Sequence, residues 1–467
     1  MRGWWTAVAV LLAVPATVSA EDGTRASVRH AAAPIPAFAR LYGTACSTCH
    51  TAAPKLNVLG EAFRLAGYRM PDSELLVRRD GPVPLGADPW KDAWPRSIWP
   101  SELPGIAPLA LRIQSDVRVR SRSEGAGAVE YEFPHEIYLL AGAPLGEHAS
   151  AFLEVEWEPE EELHVVQAKV GYRDPVPGLP AGALNLWVGR LNPFLLTFTD
   201  RQIDRAGIVG FGWQDFRLDA VGMEEPDGTV RRAGNGVRLG GGHQSVELNG
   251  VLGGRVHYAL GLARGSASVN GADNGSKDPY YRFRVKLGGL DLNGRYGAGQ
   301  GPVPGTGGQL LDRALIVEHF GYFGHEETPD APQGAHRAWG LAVRALHGPL
   351  DVGVGWVRRD YQEPWGLAGG ELHADFLFGK AEYLLYPWLM ASLKYDRADL
   401  DADALPLQPG ARLLPSARRR LTPGVVALVR QNLRVATELI LYLGGDAARL
   451  GVGGVRHAFL LRLDLSF

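Results

Sequence analysis

Both cysteines of the chain stand in one pentapeptide, Cys46-Ser47-Thr48-Cys49-His50. Two thiols three positions apart can each form a thioether to a haem vinyl group, and the adjacent imidazole then falls beneath the iron as its proximal ligand. A redox dithiol or half of a zinc site would account for the cysteines. Neither accounts for His50 or for the lack of a second cysteine pair. The pattern predicts one covalently attached haem c, held by Cys46, Cys49 and His50.

The sixth ligand has several candidates. Met70 is the one methionine of the N-terminal region past the first twenty residues, and a thioether would raise the potential relative to bis-histidine ligation. Met70 could equally fill space beside Phe63 and Tyr68. His30, a histidine further along the chain, or an open position are the alternatives. Around the motif, Leu56, Leu59, Phe63 and Ala66 are spaced as one face of a short helix, stopped by Gly67. A module over residues 21–80 has too little core to stand alone, so the haem would serve as its hydrophobic centre.

The rest of the chain must position that module. The C-terminus alternates Phe459, Leu461, Leu463, Leu465 and Phe467 on one face with Arg462, Asp464 and Ser466 on the other. This is the period of a strand apolar on one side only, and it is similar to the closing strand of bacterial outer-membrane barrels. Leu109, Leu111, Ile113, Val117 and Val119 alternate in the same way with Arg112, Gln114, Asp116, Arg118 and Arg120. So do Tyr281, Phe283, Val285 and Leu287 with Arg282, Arg284 and Lys286. Polar faces this dense in charge fit a water-filled lumen or rim, and a barrel of this size leaves an interior large enough for water or a plug. With turn-rich segments between strands, the 363 residues from Gly105 at roughly 22–23 per strand predict an all-β transmembrane barrel of about 16 antiparallel strands, 14 or 18 also being allowed. The small α-helical module would plug or cap it.

The N-terminus has a positive start, a short apolar core and Val18-Ser19-Ala20, which reads as a signal peptide over residues 1–20. Seven prolines with Trp90, Trp94 and Trp99 mark residues 81–108 as a linker, and the barrel is expected over 109–467. A formal charge of −3 argues against a nucleic-acid partner. Mean hydropathy of −0.09, with no long apolar run after the first twenty residues, excludes a helical membrane protein.

The module resembles that of the fused monohaem cytochrome–porin iron oxidases of the bacterial outer membrane. The match runs through Ala39, Arg40, Gly43, Cys46, Cys49, His50, Pro54, Leu56, Gly60, Phe63, Leu65, Gly67 and Tyr68, over about 35 residues. It departs at Leu59, where that family carries an aromatic. Across the barrel the resemblance is one of architecture. It implies an outer-membrane electron-transfer protein with Fe(II):cytochrome c oxidoreductase activity. Electrons would pass from extracellular Fe(II) to a periplasmic c-type cytochrome or another soluble carrier, with outer-membrane lipid around the barrel. The alternatives are a conduit for another donor or acceptor, or a solute porin with a haem-bearing plug. Glu154, Glu156 and Glu158 share one strand face, followed by Glu160, Glu161, Glu162 and His164. Such donors suit iron, although an acidic run of this kind more often keeps a rim soluble.

Overall fold

The computed structural model describes residues 37–42, 44, 46–70, 83–84, 102–103 and most of 109–466. Its breaks within the last range are 123–127, 146, 160–162, 217, 219–220, 233–237, 265–276, 296–309, 329–330, 415–416, 431 and 444–454. The expected signal peptide, His30, the linker tryptophans, Glu160, Glu161, Glu162 and Phe467 lie outside the described residues.

Sixteen antiparallel strands close into a barrel. They are β1 Leu109–Arg122, β2 Ala128–Leu145, β3 Ala149–Trp157, β4 His164–Arg173, β5 Asn185–Leu191, β6 His243–Leu252, β7 Val256–Arg264 and β8 Lys277–Leu287. The second half is β9 Asp312–Thr328, β10 Ala331–Gly348, β11 Leu350–Gln362, β12 Glu371–Tyr386, β13 Leu389–Asp401, β14 Ala417–Arg430, β15 Leu433–Tyr442 and β16 Val455–Ser466. Each strand pairs with its sequence neighbour, β5 with β6 across a long excursion, and β16 returns to β1. The closing seam sets Phe459 opposite Val119 and Leu465 opposite Ile113, so the terminal strand is indeed the one that removes the open edge.

Side-chain alternation sorts the wall. Phe283, Leu287, Leu341, Leu377 and Leu463 point outward and are exposed, while Arg282, Arg284, Lys286, Arg462 and Asp464 point inward and are buried. Exposed aromatics stand near both ends, Tyr131 and Phe133 at one and the stacked pair Tyr386–Trp388 at the other. A lipid-facing barrel carries this arrangement: an apolar band flanked by aromatic girdles. Tight turns at Gly348–Pro349 and Pro387–Trp388 both lie at the end that holds the start of β1 and the end of β16. In membrane barrels the short turns face the periplasm.

The lumen is not a water-filled tube. Between β5 and β6, residues 192–216 fold inward, with Leu196, Phe198 and Trp213 almost wholly buried. They pack on Phe320, Tyr322, Tyr361, Phe376 and Phe378 of the wall. The charged inward faces that suggested water are therefore satisfied by pairing, as in Arg462–Asp116 at 2.7 Å and Arg434–Asp464 at 2.7 Å.

From the short-turn end a second segment enters. It contains α1 Ala37–Tyr42, α2 Cys46–Cys49, a ribbon pairing His50 with Leu56, and α3 Val58–Leu65. Asn57 caps α3, accepting hydrogen bonds from the Leu59 and Gly60 amides at 3.0 Å each. The far end is a left-handed stop: Gly67 has φ +68°, and the Tyr68 and Gly67 amides donate back to Phe63 and Arg64 carbonyls. Gly67 thus ends the helix as its sequence position implies. Leu56 and Ala66, by contrast, are not on the helical face. Leu56 donates its amide to Ile203 of the inward loop, and the buried turn is Gly60–Phe63. Among the described residues of 81–108, Val83 pairs with Leu103 and Pro84 with Glu102.

Candidate functional site

α2 carries both cysteines on one turn, and α3 fixes that turn from behind. Asn57 donates its side-chain amide to the Ser47 and Thr48 carbonyls at 3.1 and 3.0 Å, and its own backbone amide to Cys49 at 2.9 Å. One residue therefore satisfies three carbonyls that a four-residue helix leaves open. Gly60 completes the contact: a Cβ there would come within 2.1 Å of the Cys49 carbonyl oxygen, so only glycine permits this approach. Asn57→Ala should cost the inserted segment about 1–3 kcal/mol, from the lost cap and the unmade bonds. Asn57→Ser, which still caps, should recover part of it, measured by hydrogen exchange of the α3 amides.

Cys46, Cys49 and His50 line one cavity of about 270 Å³, and Met70 lies on its wall. The lining is mainly apolar, with Phe38, Tyr42, Phe63 and Tyr68 from the inserted segment and Leu111, Leu140 and Phe152 from β1–β3. Phe38 stacks on Tyr68 at 5.5 Å and meets Phe63 edge-on at 5.0 Å, while Tyr68 stacks on Phe152 at 5.0 Å. Each pair is worth about 0.5–1.5 kcal/mol beyond area burial; the first two hold the segment together and Tyr68–Phe152 binds it to the wall. His50 and Cys46 also line a second recess beside Pro387, Trp388 and Arg430, so the motif sits at the short-turn mouth.

The electrostatics bear on the competing cysteine chemistries. Burial pushes both thiols up, Cys49 to about 11. A redox dithiol needs the opposite, a stabilised thiolate. The two cysteines form no disulfide. Burial lowers the His50 pKa to about 4, so its imidazole is neutral at physiological pH. Its Nδ1 lies 3.3 Å from the Pro54 carbonyl; donation there fixes the tautomer that leaves Nε2 as a lone-pair donor, the usual second-shell arrangement of a metal-bound histidine. Two thiols, a neutral imidazole and an apolar cavity fit a covalently held haem c.

Glu154 and Glu156 are buried inside the barrel rather than solvated on a rim. Glu154 accepts from Gln167 and Gln202 at 3.1 Å each; Tyr138 donates to Glu156 at 3.0 Å. Oxygens of Glu136, Glu156 and Glu158 lie within 4.8 Å of one another, as do donors of Asp116, Glu132 and His135. A third carboxylate group, Asp204, Asp351 and Glu382, is already neutralised by Lys55, Lys380 and Arg344. His164, at the start of β4, is only half-buried. Asn57, Lys55 and the inward loop were missed in sequence; the one signal was an apolar run, Phe194-Leu195-Leu196 and Phe198, inside an unusually long inter-strand segment.

No protein-family model matches the chain, and no curated protein does. Solved structures do. An anion-selective porin from Comamonas acidovorans superposes with TM-score 0.52 at 14% identity, covering 77% of this chain and 98% of that one. The fold is that of an outer-membrane porin. The outer-membrane channel DcaP of Acinetobacter baumannii gives TM-score 0.48 at 10% identity over 78% of this chain and 97% of its own.

Proposed function

We propose that this chain is an outer-membrane electron conduit, a porin-fold barrel plugged by a monohaem cytochrome c module. Cys46 and Cys49 would hold the haem by thioethers, His50 would be the proximal ligand and Met70 the distal one. So held, a haem c supplies a one-electron carrier. The observation that carries this reading is a single apolar cavity shared by Cys46, Cys49, His50 and Met70 at the short-turn mouth, with His50 held by Pro54.

The donor is extracellular Fe(II) and the acceptor a periplasmic c-type cytochrome or another soluble carrier. One cofactor near the periplasmic face cannot bridge about 30 Å of hydrocarbon, so Fe(II) must travel inward. The carboxylates and imidazole on the inner faces of β1–β3, from Glu132 and His135 to Glu136 and Glu156, supply hard and borderline donors along that wall. Tyr138 joins the two regions, bonding to Glu156 while lining the cavity. Iron(III) would then form beside the cavity and have to leave along the same wall. A second reading, a solute porin whose plug bears the haem, is favoured by the porin fold itself.

Liposomes carrying the purified protein and an enclosed cytochrome c separate the two. The expected result is reduction of the bound haem, then of the enclosed cytochrome, on adding external Fe(II), with little sugar-driven swelling. Swelling with a haem inert to Fe(II) would establish the porin reading instead. A haem that cycles with chemical reductants but ignores Fe(II) would point to a different donor.

A further inference from the structure

The cavity that holds Cys46, Cys49 and His50 is apolar over most of its wall, but the inward loop contributes cations to it. Arg201, Gln202, Ile203 and Arg205 all line it. Arg205 differs from the other lumenal arginines. Arg462 is paired with Asp116, Arg112 and Arg434 with Asp464, and Arg344 with Asp351. Arg205 has no hydrogen-bond or ion-pair partner among the described residues, although it is half-buried inside the barrel. Arg201 reaches Glu156 only at 3.4 Å, through one nitrogen.

The loop is also built to hold Arg205 where it is. On one side Asp204 is locked to Lys55 and Lys380 at 2.7 Å each. On the other, the Ala206 carbonyl accepts from Arg434 at 2.6 Å. The backbone at Arg205 is thus held on both sides, which keeps the side chain rooted beside the cavity. Burial depresses its pKa, and the positive charges of Arg462 and Arg201 depress it further. A partly desolvated cation without a counter-ion is unfavourable, and an anionic ligand in the cavity would relieve it.

We propose that Arg205, with Arg201 beside it, is the anchor for the carboxylates of the tetrapyrrole tethered at Cys46 and Cys49. The inference rests on the haem reading above and deepens it. A haem has two propionates on its perimeter, apart from the positions that become thioethers, and they are its only anionic groups. A planar guanidinium with parallel N–H donors matches a carboxylate. Arg205 is then a positioning residue that orients the ring and, by its charge, favours the ferrous state.

The test uses the holoprotein with its covalent haem, since thioethers keep the ring in place when Arg205 is changed. Midpoint potentials are measured by spectroelectrochemical titration of the wild type, Arg205→Gln and Arg205→Lys. Arg205→Gln should raise the ferric-to-ferrous ratio at fixed potential about tenfold, a fall of about 59 mV for one electron. Arg205→Lys should stay within about threefold of wild type, while its redox-difference infrared spectrum shows shifted propionate bands. Because it keeps the charge, this second variant serves if Arg205→Gln fails to assemble. Unchanged potential and unchanged propionate bands in a haem-loaded variant would overturn the anchor while leaving the haem reading intact. Wild-type protein whose mass shows no attached haem would overturn both. Titrating wild type with phosphate should not move the potential; if it does, and Arg205→Gln abolishes the effect, the arginine holds a mobile anion and the proposal fails.

Discussion

Cys46→Ser/Cys49→Ser protein should assemble as a heat-modifiable barrel, carry no covalent haem, and transfer no electrons from Fe(II) to an enclosed acceptor. Assembly should survive because neither thiol makes a structural bond: the two form no disulfide, and α2 is held through its carbonyls by Asn57. The sixteen strands close through β16 and β1 without the inserted segment taking part. Loss of activity should be complete, since no other residues in the chain could tether a haem by thioethers. Mass spectrometry and the visible spectrum read the first effect, and the liposome assay reads the second. A double variant that still shuttles electrons at the wild-type rate would remove the motif from the mechanism.

Where an element's fate depends on its own residues, the chain states it openly. The alternation around Arg282, Arg284 and Lys286 places those cations inward in the folded barrel. The terminal alternation ending at Ser466 is the strand that seals the seam. About 16 strands were expected from length and 16 are found. The spacing of Cys46, Cys49 and His50 is likewise local, and the folded segment brings the three to one cavity. What was hidden is contact at long range. Lys55 reads as an ordinary polar residue, yet its partners Asp204, Asp351 and Glu382 are 149, 296 and 327 positions away. Charge on an inward strand face looks the same in sequence whether it meets water or an opposite charge. A plug or cap from the N-terminal module was expected; the second filling element, the inward loop after β5, was not, because its packing partners are distant in sequence.

That hidden contact makes Lys55 the most sensitive single position outside the motif. The residue is 3% exposed, and its ammonium lies 2.7 Å from Asp204, 2.5 Å from Asp351 and 2.7 Å from Glu382. It thereby joins the inserted segment to the inward loop and to β11 and β12. With Lys380 and Arg344 the cluster balances three cations against three carboxylates. Lys55→Met keeps the side chain's length and leaves one buried carboxylate uncompensated, an effect of about 3–5 kcal/mol on docking of the segment. Hydrogen exchange of the Leu56 amide, which donates to Ile203, should then speed up by two to three orders of magnitude or more, since about 1.4 kcal/mol is tenfold. Asp204→Asn added to Lys55→Met restores the balance of charge, so the double variant should be less damaged than the sum of the single ones. The carboxylates also raise the Lys55 pKa above its ordinary 10.5. Docking stability from this group is accordingly full below pH 10.5 and lost only as the pH climbs through the higher folded value. Glu61, held by Arg284 and Arg64 well below its ordinary 4.5, contributes in the opposite sense: full above 4.5, lost as the pH falls through its depressed value. Between those limits the segment should stay docked, so protection of the Leu56 amide, corrected for intrinsic exchange, should be flat from about pH 5 to pH 10. A docking loss centred near neutral pH would show that groups other than these two hold the segment in the barrel.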